Sequence, residues 1–169
     1  MRISWLMPVL LLALGCSRDS AMDDHGKPQS DASDPTSGVT LSFIKAEIGP
    51  ITWEEPPKKP LPRYLKVWIK TTAVRKFEFT SWAMSEKPSE TYVEDEFGKK
   101  YPVVRDGRYA GTSEYTGTDG YLYLSAKESV TALLLFESPQ GKATKLTIRL
   151  GGSNVQAKND ITLAIKNWK

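Results

Sequence analysis

Three consecutive carboxylates, Glu94, Asp95 and Glu96, form the longest run of acidic side chains in this 169-residue chain. Two carboxyl groups about 5 to 10 Å apart are what glycoside hydrolysis requires. Strand side chains alternate between faces, so Glu94 and Glu96 share one face and Asp95 takes the other. A solvated strand end paired with Lys99 and Lys100 accounts for the same residues without chemistry. His25 is the single histidine and lies in a Ser- and Asp-rich N-terminal segment. A Ser-His-Asp triad, a Cys-His pair and a His-ligated zinc site are thereby excluded from the rest of the chain. Asp95, Asp106 and Asp119 could offer oxygens to calcium, but no D-x-D-x-D-G spacing occurs, and Asx turns beside Gly98, Gly107 and Gly120 explain them. The expectation is a non-enzyme with no catalytic residues, no metal and no cofactor.

The one cysteine, Cys16, carries different chemistry. It follows an apolar run over residues 3–14, after a basic Arg2, in the sequence Leu12-Ala13-Leu14-Gly15-Cys16. The run is shorter than the roughly 20 apolar residues a permanent membrane helix needs. It resembles a bacterial lipoprotein signal over residues 1–15, in which the cysteine receives a diacylglycerol thioether and becomes the first residue of the mature chain. Acyl chains at about 0.8 kcal/mol per buried methylene would hold such a protein to a membrane. An ordinary secretory signal cut after Gly15 is the alternative. Both export the protein to the cell envelope, at the outer membrane or in the periplasm. A lone cysteine also makes an intramolecular disulfide impossible, so the domain relies on its apolar core.

Aromatic residues form the remaining surplus. Trp68 and Trp82 fall at outward positions of their expected strands, and Tyr109, Tyr115, Tyr121 and Tyr123 lie in or beside the polar stretch over residues 106–120, DGRYAGTSEYTGTDG. Tyr among Gly, Ser and Thr is the composition of recognition loops, in which rigid rings give contact area at little entropic cost. Tyr109, Tyr115, Tyr121, Trp68 and Trp82 are therefore the candidate binding residues. The competing reading makes the tryptophans core residues and the tyrosines covers for sheet edges. Lys58, Lys59 and Arg63 with Lys99, Lys100, Arg105 and Arg108 could gather as a basic patch, but no Arg-rich groove accompanies them and no nucleic-acid partner is expected.

The elements that must position these residues are strands. Residues 16–38 are Ser-, Asp-, Gly- and Pro-rich without an apolar period and read as the lipidated cysteine followed by a disordered linker. Residues 39–169 read as one domain. Residues 64–74 set Leu65, Val67 and Ile69 against Lys66, Trp68 and Lys70; residues 75–84, 144–150 and 161–166 alternate in the same way. Residues 130–136 are apolar on both faces, which places that strand centrally with cover on each side. With the runs at 39–48, 91–97, 100–105 and 120–124, the pattern predicts an all-β, antiparallel two-sheet sandwich of about eight strands. The connection over residues 54–63, EEPPKKPLPR, has four prolines and reads as a semi-rigid crossover.

Asp95-Glu96-Phe97-Gly98-Lys99-Lys100-Tyr101, followed downstream by Leu135-Phe136-Glu137-Ser138-Pro139 and by Leu146-Thr147-Ile148-Arg149-Leu150, resembles the immunoglobulin-like domains of bacterial secreted lipoproteins, a family named after a telomeric-repeat-binding factor. There a strand ends in an Asp-x-x-Gly-x-x-Tyr turn, and a later strand ending Phe-x-x-Pro feeds a Leu-rich one. Where that family has a Pro-Gly turn before the Phe-x-x-Pro strand, this chain has Ala126-Lys127-Glu128-Ser129. The resemblance implies an immunoglobulin-like envelope module of unknown function and brings no catalytic residues.

The sequence thus points to a lipid-anchored, non-catalytic module that recognises an envelope protein or glycan through its long loops, with the membrane as partner through Cys16. The alternative is a structural or accessory lipoprotein of an envelope complex.

Overall fold

A computed structural model describes residues 31–34, 38–80, 91–109, 121–155, 157 and 159–168. Two four-stranded antiparallel sheets face each other. The first runs in the order β1 (Asp31–Asp34), β2 (Val39–Gly49), β4 (Tyr64–Ala73), β10 (Ser129–Glu137); the second runs β12 (Ile161–Ile165), β11 (Leu146–Leu150), β6 (Tyr92–Asp95), β7 (Lys100–Pro102). Two short ribbons complete the described strands: β3 (Trp53–Glu55) with β8 (Arg108–Tyr109), and β5 (Phe77–Thr80) with β9 (Tyr121–Leu124). The fold is the expected antiparallel sandwich with more strands than expected, twelve among the described residues.

Alternation sets the core. Leu65, Val67 and Ile69 of β4 meet Leu146, Ile148 and Leu150 of β11 and Leu163 of β12 in one apolar cluster shared by both sheets. In β2 the inward residues are Val39, Leu41 and Phe43, then Ala46 and Ile48. The change of parity is made by a β-bulge between Phe43 and Lys45, which turns Ile44 outward and keeps both halves of the strand on the core. Such burial on both inner faces is the main stabilising term of a disulfide-free sandwich.

Two expectations need correction, and a third lies partly outside the described residues. Residues 31–34, assigned to the disordered linker, form β1 and pair with β2 from Asp31↔Ser42 to Asp34↔Val39. The doubly apolar run is covered on both faces as expected, but β10 ends its sheet's strand order rather than sitting centrally. Its free edge is closed by a bridge from Val103 to Phe136 and by the Val104 amide donating to Leu135 O at 2.7 Å. The strand expected over residues 75–84 is described only as β5, and residues 81–84 lie outside the described residues.

Candidate functional site

On β4, residues 64, 66, 68 and 70 point away from the core. That face should be wet, and at Lys70 it is exposed. At the other end it is roofed, because the two long connections pair with each other: Trp53 lies opposite Tyr109 and Glu55 opposite Arg108. Under this β3–β8 ribbon Trp68, Tyr109, Leu133 and Leu135 form a second apolar cluster, with Ile51, Trp53 and Val104 against it. Trp53 sets its ring edge-on to Tyr64 (5.5 Å, 74°) and to Tyr109 (5.7 Å, 84°), the orientation favoured by aromatic quadrupoles. Lys45 Nζ lies 4.0 Å above the Trp68 ring. Gly107 has φ +98°, and a Cβ there would fall 2.8 Å from a Trp53 ring carbon and 3.0 Å from Glu55 O, so the turn into β8 needs glycine.

This arrangement corrects two of the five candidate binding residues. Tyr109 and Trp68 are each only 7 % exposed. Trp68 does lie on the outward face; the pairing of β3 with β8, which are far apart in the chain, cannot be seen from alternation alone, and it is this pairing that buries it. Tyr121 lies in β9, and the placement of its side chain is outside what the structure describes, as are Trp82, Tyr115 and the lipidation residue Cys16.

Beside the ribbon, a cleft of about 490 Å³ opens between the proline-rich connection and residues 102–106. Its apolar surfaces come from Pro57, Leu61, Pro102 and Val103, and its charges from Lys58, Lys59 and Arg105 against Asp106 and Glu137. The walls are tied down. The Lys58 amide donates to Asp106 Oδ2 (3.0 Å), and the Leu61 amide donates to the hydroxyl of Tyr64 (2.6 Å), whose ring is held in turn by Trp53. Lys58, Lys59 and Arg105 of the expected basic patch do converge here, whereas Lys99 and Lys100 belong to the β6–β7 hairpin. The cleft lining holds no Ser, Thr, Cys or His. Leu61, Tyr64 and Val103 were missed by sequence reasoning; the density of prolines around Leu61 was the only available signal.

The carboxylate cluster is structural in its geometry. Asp95, on the inward face, accepts the Phe97 and Lys99 amides on Oδ1 and the Tyr101 hydroxyl on Oδ2, all at 2.9 Å. Burial opposes its ionisation, but these hydrogen bonds outweigh it and hold its pKa below the ordinary value; burial and the same carboxylate push the Tyr101 phenol up. Glu96 accepts the Thr144 amide and hydroxyl (both 2.8 Å) and the Lys145 amide (3.2 Å). The Thr144 amide is the largest influence, and the pKa of Glu96 falls to about 2. Lys99 and Lys100 do not pair with these carboxylates as expected but lie 5.1 Å and 4.4 Å over the rings of Tyr101 and Tyr92. Among the described residues no three His, Cys, Asp or Glu side chains gather as a metal site.

No protein-family model matches the chain, and no curated protein matches it. Solved structures resemble this chain, two of them as follows. The secreted protein MPT63 of Mycobacterium tuberculosis aligns at 14 % identity over 80 % of this chain and 91 % of its own, with a TM-score of 0.46. The yjhA protein of Bacillus subtilis aligns at 10 % identity over 76 % of this chain and 92 % of its own, with a TM-score of 0.49.

Proposed function

We propose that this chain is an exported envelope protein, anchored by lipid at Cys16, whose sandwich is a non-catalytic binding module of the immunoglobulin-like lipoprotein type. The Asp95-x-x-Gly98-x-x-Tyr101 motif supports that assignment, since the first and last residues bond to each other and Gly98 takes a left-handed φ of +79°. The observation that carries the binding role is the cleft beside the β3–β8 ribbon, where rigid proline-rich walls enclose apolar surface under a rim of Lys58, Lys59 and Arg105. Its one lining ring, Tyr64, is 1 % exposed and offers no face for a sugar to stack on. The lining suits an apolar side chain next to an acidic one on a protein segment better than it suits a glycan. Commitment of Asp95 and Glu96 to backbone amides supports the absence of catalysis.

A photo-crosslinking amino acid placed at Leu61 in cells should trap an envelope protein, whereas the same group at Val74, exposed in the β4–β5 turn, should not. Equal labelling from both positions, or none from Leu61, would contradict the proposal. Burial of Tyr109 favours the second reading, a structural or accessory lipoprotein, because it turns the start of the Tyr-rich stretch into a brace on the sandwich.

A further inference from the structure

We propose that the tip of the β6–β7 hairpin, with Phe97 at its apex and Lys99 and Lys100 on its flank, docks this end of the sandwich onto an anionic lipid surface. The proposal rests on the lipid-anchored reading of Cys16. Phe97 is 74 % exposed, more than any other large apolar residue described. A single exposed apolar side chain is ordinary; this one stands on a locked turn. The Gly98 amide closes on Asp95 O (3.0 Å) and the Asp95 amide on Lys99 O (3.1 Å), while the Asp95 carboxylate holds the Phe97 and Lys99 amides. Glu96 fastens the tip to Thr144 and Lys145. The ring therefore projects from a fixed backbone, and docking it orders little that is not already ordered.

Charge at the tip favours an anionic surface. Lys99, Lys100, Lys142 and Lys145 are exposed at this end against the three carboxylates Glu94, Asp95 and Glu96, an excess of one positive charge, and the Asp95 carboxylate is turned inward onto the Tyr101 hydroxyl. An exposed apolar side chain at the apex of a hairpin with lysines on its flank can meet the acyl boundary and the headgroups together. A second copy of this chain would set the same lysines face to face.

The direction of β1 sets its N-terminus toward the end of the sandwich that carries the tip. β1 runs antiparallel to β2 from Asp31↔Ser42 to Asp34↔Val39, so its N-terminal residue Asp31 is on the side of the Gly49 end of the sheet. At that end Gly49 pairs with Tyr64, and Tyr64 with Glu137. The hairpin reaches the same end: Val103 bridges Phe136, and Glu96 grips the connection that leaves β10 after Glu137. Fourteen residues separate Cys16 from Asp31.

The test uses the lipidated full chain in vesicles of phosphatidylethanolamine and phosphatidylglycerol, with a fluorophore on Gln140→Cys at the tip end or on Ser125→Cys at the opposite end, and a quencher on the lipid headgroup. The probe at 140 should be quenched several-fold more than that at 125. High salt, phosphatidylcholine vesicles, or the Phe97→Ser/Lys99→Ser variant should remove the difference while flotation with vesicles persists. Equal quenching of both probes with flotation intact overturns the proposal and leaves Phe97 to a protein partner. A difference that survives Phe97→Ser/Lys99→Ser also overturns it. A chain that fails to float refutes the lipid anchor itself.

Discussion

The hydroxyl of Tyr109 donates to the backbone oxygen of Leu133 at 2.9 Å and so closes a second acceptor on the edge of β10 that Val104 covers at Leu135. Residues two apart on a strand present their carbonyls to the same side, so Tyr109 continues with a side chain what the Val104 amide begins with backbone. An uncovered strand edge invites pairing with other chains. The same ring roofs Trp68 and braces Trp53, linking the sheet edge to the wall of the cleft.

Truncating Tyr109 to Ala should therefore cost about 3–5 kcal/mol, the range for a large buried aromatic. Tyr109→Phe, which loses only the hydrogen bond, should cost about 1 kcal/mol. Urea denaturation measures both. A Tyr109→Ala variant as stable as the parent would show that the ribbon does not close the outer face.

Acid should weaken the fold through the β6–β7 hairpin. Glu96 titrates at about 2 in the folded chain against an ordinary 4.5, and Asp95 is lowered as well. Between these limits the unfolded chain binds protons more readily, so their contribution is fully present above pH 4.5 and is lost as pH falls toward 2. Melting temperature against pH should decline across this window, and Glu96→Gln should flatten the decline. An unchanged slope in Glu96→Gln would show that Glu96 is not held as described.

Deleting residues 31–34 should lower the melting temperature, because β1 pairs along its length with β2 and lies against β12. Calorimetry decides this; an unchanged transition would return the boundary of the domain to Val39.

What the sequence made legible is what alternation encodes. Leu65, Val67 and Ile69, and likewise Leu146, Ile148 and Leu150, declare both their strands and the face that is buried. β1 could not be read, because Asp31-Ala32-Ser33-Asp34 has no apolar period and owes its conformation to the β2 edge. β3 and β8 are too short for a period, and their pairing joins residues far apart in the chain. The burial of Trp68 and Tyr109 follows from that pairing, and so does the position of the cleft. The Asp95-to-Tyr101 motif was visible as a pattern, and only the fold showed that its carboxylate is bound by the turn it terminates.

Capture of an envelope protein by the cleft is the most direct test of the account. The full chain and the variants Leu61→Asp and Lys58→Glu/Lys59→Glu, all exposed positions, would be used to pull partners from envelope extract and the yields compared at matched stability. Replacing an interface anchor or reversing its rim charges should weaken capture tenfold or more while leaving the melting temperature unchanged. Undiminished capture by both variants would contradict a partner seated in this cleft.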